Sequence, residues 1–132
     1  IRWFVRRPLL APAGRSEAAA DGCNGRVWHG GMGVAPSCNL QSDAHGLPGM
    51  CEPTHGSGPD IAGQGLADPA AMLFTTARML EWLGRKDPAV AAAGRELFDA
   101  VAADLAENAG KSRGTQEIGA AVRERLESLT RP

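Results

Sequence analysis

The segment from Glu52 to Pro69 limits what this chain can fold into more than any other part of the sequence. A dozen of its residues include three glycines, two prolines, a histidine and an isolated aspartate. Prolines and glycines at this density break both helices and strands, so we expect a loop here. Such a loop can present bare backbone N–H groups, an imidazole and one carboxylate to a ligand that combines phosphate and ribose.

Three amphipathic helices are predicted after residue 67. Asp68 with Pro69, and Asp87 with Pro88, have the residue types favoured at an N-cap and a first helical position. The third helix is predicted to begin near Thr115. Each helix carries an apolar stripe that must be covered by another surface, because short isolated helices are marginal in water. The predicted stripes and closing glycines are Met72, Leu73, Thr76, Met79, Leu80, Leu83 and Gly84; Val90, Leu97, Phe98, Val101, Leu105 and Gly110; and Ile118, Val122 and Leu126.

The sequence before the loop predicts little regular structure. Residues 30–37 are typical of a helix end followed by a tight turn, residues 39–49 of a polar surface loop, and residues 50–54 of a short strand. Residues 1–29 carry five arginines and two acidic residues, a net charge of +3, whereas residues 30–132 carry a net charge of −4. Arginines and prolines interrupt every apolar run of the first segment. We therefore expect residues 1–29 to be disordered or foreign to the domain, and residues 30–132 to belong to it.

Composition argues against several classes of protein. A formal net charge of −1 lacks the basic surplus of a nucleic-acid-binding protein, and no apolar run approaches the ~20 residues of a membrane span. The three cysteines, Cys23, Cys38 and Cys51, are odd in number and show no CxxC spacing. This pattern predicts a reducing cytoplasm rather than a disulfide framework. Cys51 and His55 could form half of a zinc site, but no second half is visible.

Three segments together resemble one enzyme family: Gly30 to Ser37, Glu52 to Gly63 and Gly114 to Ile118. They are similar to the C-terminal portion of the β-decarboxylating 2-hydroxy-acid dehydrogenases, which include isocitrate, 3-isopropylmalate, homoisocitrate, tartrate and D-malate dehydrogenases. The resemblance implies an α/β fold, the isopropylmalate-dehydrogenase-like fold, of which this chain would hold mainly three helices, the cofactor loop and a short strand. It is not the GxGxxG Rossmann fold, whose fingerprint is missing here. Residues 39–50 and the first helix most resemble the tartrate and D-malate branch.

The resemblance assigns the loop to the adenosine half of a nicotinamide cofactor. Gly56 and Gly58 would let the backbone approach the ligand, His55 would lie against the adenosine, and Ser57 would offer its hydroxyl. Asp60 would accept hydrogen bonds from both ribose hydroxyls and repel a 2′-phosphate. Members that use NADP have a lysine and a tyrosine at Asp60 and the next position, so NAD is the expected cofactor. The expected cofactor-binding residues are His55, Gly56, Ser57, Gly58, Pro59, Asp60, Ile61 and Asp68.

The resemblance also implies chemistry for which this chain lacks the residues. Family enzymes oxidise a 2-hydroxy acid and decarboxylate the product with Mg²⁺ or Mn²⁺, usually as homodimers, using a tyrosine, a lysine and two aspartates one helical turn apart. This chain has no tyrosine, its lysines are Lys86 and Lys111, and Asp21 has no acidic neighbour four residues away. We therefore expect the isolated chain to be inactive, with no catalytic or metal-ligating residue. Residues 1–29 would then result from translation in a different reading frame, or the chain would be a truncated paralogue with a replaced N-terminus.

One residue of the expected site differs from the family. Asp68 stands where the family usually has an asparagine that meets the adenine, and an ionised aspartate cannot donate a hydrogen bond.

The alternative to a portion of a dehydrogenase is a non-catalytic nucleotide-binding or dimerisation module, or a decayed gene product.

Overall fold

The structure is a computed structural model that describes residues 32–40 and 49–130. Its strands pair antiparallel, and helix α1 packs against both strands and against helix α2, which also packs against α3. The described residues therefore form an α/β unit of three helices and a two-stranded sheet. The elements in chain order are a 3₁₀ turn (Met32–Val34), β1 (Pro36–Asn39), β2 (Met50–Pro53), a 3₁₀ turn (Pro59–Ile61), α1 (Ala70–Leu83), α2 (Pro88–Glu107) and α3 (Thr115–Thr130).

Two of the helices begin with the capping aspartates that the sequence predicts. Asp87 Oδ1 accepts a hydrogen bond from the Ala89 N–H at 3.0 Å, and Pro88 is the first residue of α2. Asp68 Oδ1 accepts from the Ala70 N–H at 2.9 Å in the same way. Helix α1 is assigned from Ala70, one residue later than predicted, which is within the usual ambiguity of helix ends. Both aspartates thus satisfy an N–H group that the helix itself leaves unpaired.

The core lies where the three helices meet. The rings of Phe74 on α1 and Phe98 on α2 are 4.9 Å apart between centroids, and both side chains are buried. Val101 of α2 and Val122 of α3 complete this cluster. The predicted apolar stripes of α2 and α3 are confirmed, because they supply these residues. A buried Phe at such a centre typically contributes about 3–5 kcal/mol relative to Ala.

The predicted stripe of α1 is wrong for three residues. Helix α1 buries Phe74 and Ala77 rather than its methionines. The reason is its close contact with α2: a Cβ atom on Gly94 would lie only 2.8 Å from the carbonyl oxygen of Ala77. Small residues let the two backbones approach, and that approach selects which face of α1 is covered. Three residues of the predicted stripe lie outside the core: Met72, Met79 and Leu83 are 50%, 37% and 54% exposed, respectively.

Strand β2 is confirmed, whereas β1 lies where the sequence predicts a turn and a loop. Residue pairs run from Pro36 opposite Pro53 to Asn39 opposite Met50. The Thr54 N–H donates to the Ala35 carbonyl at 3.1 Å, and hydrogen-bonded pairs alternate along an antiparallel ladder. The two prolines therefore face each other at a pair that needs no N–H donor. This register explains how a proline-led strand of weak β-propensity can form.

The expectation that the cysteines form no disulfide is also wrong. Cys38 of β1 and Cys51 of β2 face each other and are joined by a disulfide, with 4.1 Å between their Cα atoms. The pairing follows from the strand register. Neither the odd number of cysteines nor their spacing reveals it, and Cys23 lies outside the described residues.

The expectations for residues 1–29, for Gly30 and Gly31, and for residues 41–48 lie outside the described residues. Among the described helices, none combines the length and apolar character needed to cross a membrane.

Candidate functional site

The predicted cofactor loop, His55 to Gly63, lies within an exposed segment, residues 54–68, that is held at both ends. At its start, the N–H and hydroxyl of Thr54 both donate to the Ala35 carbonyl, at 3.1 and 3.0 Å. At its end, the Thr115 N–H donates to the Gly65 carbonyl at 2.8 Å, and the Thr115 hydroxyl donates to the Ala67 carbonyl. A loop whose residues are all exposed is thus fixed to the sheet and to the first residue of α3.

A tight 3₁₀ turn lies in the middle of the loop. Gly58 has a φ of 58°, a conformation that costs other residues about 1 kcal/mol or more. Its carbonyl accepts from the Ile61 N–H at 3.1 Å, and the Gln64 side chain donates to the Asp60 carbonyl at 2.7 Å. The turn therefore has its own hydrogen bonds. Glycine adopts the φ of Gly58 without the strain that a side chain would bring.

The chemical groups of the loop point into solvent. His55 Nδ1 lies 2.8 Å from the Gly56 carbonyl, and only a protonated Nδ1 can donate to that oxygen, so Nε2 of the neutral ring is left as an acceptor. No hydrogen bond or ion pair within the described residues engages the exposed Asp60 carboxylate, and the Ser57 side chain is exposed as well. The loop therefore carries a carboxylate, an imidazole nitrogen and a hydroxyl that a ligand can use.

Asp68 differs from these groups because it already has a partner. One of its carboxylate oxygens caps α1 through the Ala70 N–H. The other oxygen remains available to a ligand as an acceptor only. The structure thus brings Asp68 to the end of the loop at the start of α1, where its main contact is structural.

A buried ion-pair cluster joins α2 to the connection that leads to Thr115. Asp104 on α2 is 1% exposed, and its carboxylate accepts from both terminal nitrogens of Arg113, with one N···O distance of 3.1 Å. The pKa of Arg113 is raised, first by this hydrogen bond and less by the charges of Asp104, Glu117 and Asp68. Asn108 also donates to the Asp104 carboxylate, at 3.2 Å. The cluster fixes the connection between α2 and α3, and Thr115 follows directly from it.

The residues that hold the loop were not among those predicted from the sequence. Ala35 and Gly65 act through backbone carbonyls, for which a sequence carries no signal. Asp104 could have been found, because it lies three residues after Val101 and therefore on the buried face of α2. A charged residue on a buried helix face requires a partner.

The remaining candidate groups do not assemble into a catalytic or metal site. Within residues 32–40 and 49–130, no three His, Cys, Asp or Glu side chains come together in a way that could hold a metal ion. Cys51 is bonded to Cys38 and does not offer a thiolate beside His55. Both lysines are exposed, and Lys111 Nζ donates to the side chain of Asn108 at 3.1 Å.

Comparison with known proteins connects this loop to a family. The sequence model described as isocitrate/isopropylmalate dehydrogenase matches residues 21–122, a span that begins ahead of the boundary predicted at residue 30. A 3-isopropylmalate dehydrogenase of Streptomyces avermitilis is 47% identical over 98 residues, which are 74% of this chain and 26% of that protein. A second, from Thermobifida fusca, is 44% identical over 77% of this chain and 28% of its own length.

A third relative carries a different name. The tartrate dehydrogenase/decarboxylase of Pseudomonas putida is 37% identical over 110 residues, which are 80% of this chain and 30% of that protein. The chain thus spans less than a third of the length of these three relatives. The match to the family model and these identities establish that the chain belongs to the isocitrate/isopropylmalate dehydrogenase family.

Proposed function

We propose that residues 55–61, together with Asp68, bind the adenosine half of NAD. The observation that carries this proposal is that the loop is fixed at both ends while the Asp60 carboxylate is exposed and pairs with none of the described residues. Binding in a fixed loop costs less conformational entropy than binding in a flexible one. Gly56 and Gly58 bring bare backbone to the surface, and a Cβ atom on Gly56 would contact nothing. The residues present therefore fit a nucleotide at this position.

Asp60 would select NAD over NADP. A carboxylate can accept hydrogen bonds from both hydroxyls of the adenosine ribose, and its charge repels the 2′-phosphate of NADP. Asp68 would contribute less, because one of its oxygens already caps α1 and neither oxygen can donate to the adenine. We expect weak binding, since the chain spans only part of its relatives' length and a partly formed site has less preorganisation.

In the whole family protein, this loop would serve an oxidoreductase that acts on a 2-hydroxy acid. NAD would accept the hydride, and a divalent metal, Mg²⁺ or Mn²⁺, would assist decarboxylation. The name of the P. putida relative, tartrate dehydrogenase/decarboxylase, supports this class of reaction. Tartrate, D-malate and 3-isopropylmalate are the candidate substrates, and a homodimer is the proposed assembly. The 132-residue chain itself would be inactive, because it contains no tyrosine and the described residues hold no metal cluster.

Titration calorimetry with NAD and NADP tests the proposed site. We expect NAD to bind with a Kd of about 1 mM or lower and NADP to bind about tenfold more weakly, because Asp60 opposes the 2′-phosphate. Asp60→Asn should remove this preference. Asp87→Asn, the same change at a helix cap outside the loop, should keep it. Equal or tighter binding of NADP by the unmodified chain would contradict the assignment of Asp60.

A steady-state assay tests the expected inactivity. The chain is supplied with NAD, Mg²⁺ or Mn²⁺, and each of the three candidate acids, and NADH is followed by absorbance. We expect no turnover above that of a protein-free control. Measurable turnover would contradict the expected inactivity.

Among the alternatives, which are a non-catalytic nucleotide-binding module, a dimerisation module and a decayed gene product, one observation favours the dimerisation module. The exposed methionines and leucine of α1 favour it, since contiguous apolar surface often marks an interaction site. A folded chain that forms a stable dimer in analytical ultracentrifugation, yet gives no heat with NAD, would support this alternative.

A further inference from the structure

The strand register brings two half-buried cysteines together next to the loop. Cys38 and Cys51 occupy a pair two residues along from the facing prolines, and therefore a pair without backbone hydrogen bonds. Side chains approach most closely at such pairs, and the Cα atoms here are 4.1 Å apart. The strand register therefore places the two sulfur atoms within bonding reach of each other.

The disulfide links the two strands of the sheet from which the loop starts. Strand β2 ends at Pro53, and Thr54 begins the loop. Each strand has only four residues, and the pair nearest the loop is formed by two prolines that donate no N–H. Isolated two-stranded sheets are marginal in water. The covalent bond thus adds a constraint where the hydrogen-bond ladder is short, three residues before Thr54, which anchors the loop.

We propose that Cys38 and Cys51 form a reversible thiol–disulfide site that controls the order of the loop at residues 54–68. Resting on the proposed function, the same site would control the affinity for NAD. In the oxidised state the bond fixes β2 against β1, so that Thr54 keeps its two bonds to Ala35. In the reduced state only the short ladder and the packing of α1 hold β2, and the start of the loop opens more often.

The exchange partner is a small-molecule or protein disulfide, with the corresponding thiols as reductant. A thiolate of the pair attacks the partner's disulfide, giving a mixed disulfide and releasing one thiol. The second cysteine then displaces the other thiol. The two cysteine thiols lose two electrons and two protons, and one partner disulfide becomes two thiols. Reduction by two thiols reverses the same steps.

The experiment uses the 132-residue chain with Cys23→Ser, so that the third cysteine takes no part. The protein is equilibrated in glutathione buffers of increasing oxidised fraction. Thiol trapping and mass spectrometry then give the fraction of disulfide. Hydrogen exchange is measured in the fully oxidised and fully reduced samples. We expect the amide of Thr54 and those of β2 to exchange at least about tenfold faster after reduction, while the buried part of α2 stays unchanged.

Two comparisons separate this inference from the proposed function. Cys38→Ser and Cys51→Ser variants should exchange like the reduced chain at every glutathione ratio. NAD should bind the oxidised chain several-fold more tightly than the reduced chain. A redox-dependent exchange rate without NAD binding would support the switch and overturn the proposed function. The switch is overturned if no disulfide forms at any ratio, or if oxidised and reduced chains exchange at the same rate.

Discussion

Gly94 lies at a close contact between α1 and α2. A side chain there would meet the Ala77 carbonyl oxygen at 2.8 Å and the Glu81 N–H nitrogen at 2.9 Å, both belonging to the backbone of α1. Backbone atoms cannot move aside as a flexible side chain can. Glycine in the middle of a helix normally destabilises it relative to alanine. At Gly94, that cost is offset by the close packing it permits.

Replacing Gly94 and Gly119 by alanine should therefore change stability in opposite directions. Gly94→Ala should lower the free energy of unfolding by about 2 kcal/mol, because the added methyl group overpacks the α1–α2 contact. Gly119→Ala is the matched control, since a Cβ atom there would contact nothing. It should raise the free energy of unfolding by between about 0.5 and 1 kcal/mol through helix propensity. Urea denaturation measures both, and effects of the same sign would be inconsistent with this packing.

At the scale of elements, buried and exposed charges join α2 to α3 and to the connection between them. Asp104 forms an ion pair with Arg113 of the connection, and Nε of Arg125 on α3 lies 3.8 Å from Oδ1 of the same carboxylate. Arg125 also pairs with Glu107, at the end of α2. Three segments therefore meet at one carboxylate. Because Thr115 lies two residues after Arg113, we expect this cluster to support the order of the candidate cofactor loop.

Asp104→Asn should destabilise the chain by about 3 kcal/mol, since it leaves the largely buried guanidinium of Arg113 without its counter-charge. Arg123→Gln is the control: Arg123 pairs with Glu127 at 3.7 Å but is 75% exposed. Exposed pairs contribute little, so this change should cost less than about 0.5 kcal/mol. Chemical denaturation of both variants provides the measurement. Similar losses in the two variants would show that Asp104 is not the centre of the network.

The pair between Glu107 and Arg125 should make stability depend on pH. The hydrogen bond from Arg125, and then its charge, lower the pKa of Glu107 below its ordinary value. A lowered carboxylate pKa contributes stability that is complete above the unfolded-state pKa, about 4.3. That contribution is lost as the pH falls through the lower folded-state value. Melting temperatures of the chain and of Glu107→Gln should thus differ at pH 7 and converge as the pH falls through the lowered pKa of Glu107. A constant difference across this range would contradict the assignment.

For the molecule as a whole, the main consequence of the fold is an uncovered face of α1. Met72, Met79 and Leu83 lie at helical spacing and are each more than a third exposed. The core of α1 packs on the opposite side. The chain also spans less than a third of the length of the relatives described above. This face is therefore the part of the described surface most prone to association.

Replacing Met72 and Leu83 together by lysine should reduce concentration-dependent association without lowering the melting temperature. Exposed apolar residues favour association, whereas they contribute little to the core. Phe74→Ala is the contrasting change, because it should cost about 3–5 kcal/mol of stability. Light scattering and thermal unfolding distinguish the two effects. A large loss of melting temperature in the lysine variant would mean that these side chains stabilise the fold.

Several elements follow from interactions between residues that are close together in the sequence. Asp87 and Pro88 begin α2, the periodicity of α2 and α3 selects their buried faces, and the glycines and prolines of the loop exclude a regular element. Each depends on residues only a few positions apart, so a single sequence contains the whole interaction. The segment from His55 to Gly63 also carries a resemblance specific enough to name the family, which the comparisons confirm.

Other features join residues that are far apart in the sequence, and these depend on the tertiary fold. The buried face of α1 depends on Gly94 of α2, β1 depends on its pairing with β2, and the disulfide joins cysteines 13 positions apart. Thr115 holds a carbonyl 48 residues earlier. In each case, the local preference is weak, and the free energy gained by bringing two segments together exceeds it. No local pattern records which segments will meet, and the anchoring of the loop is therefore a property of the fold.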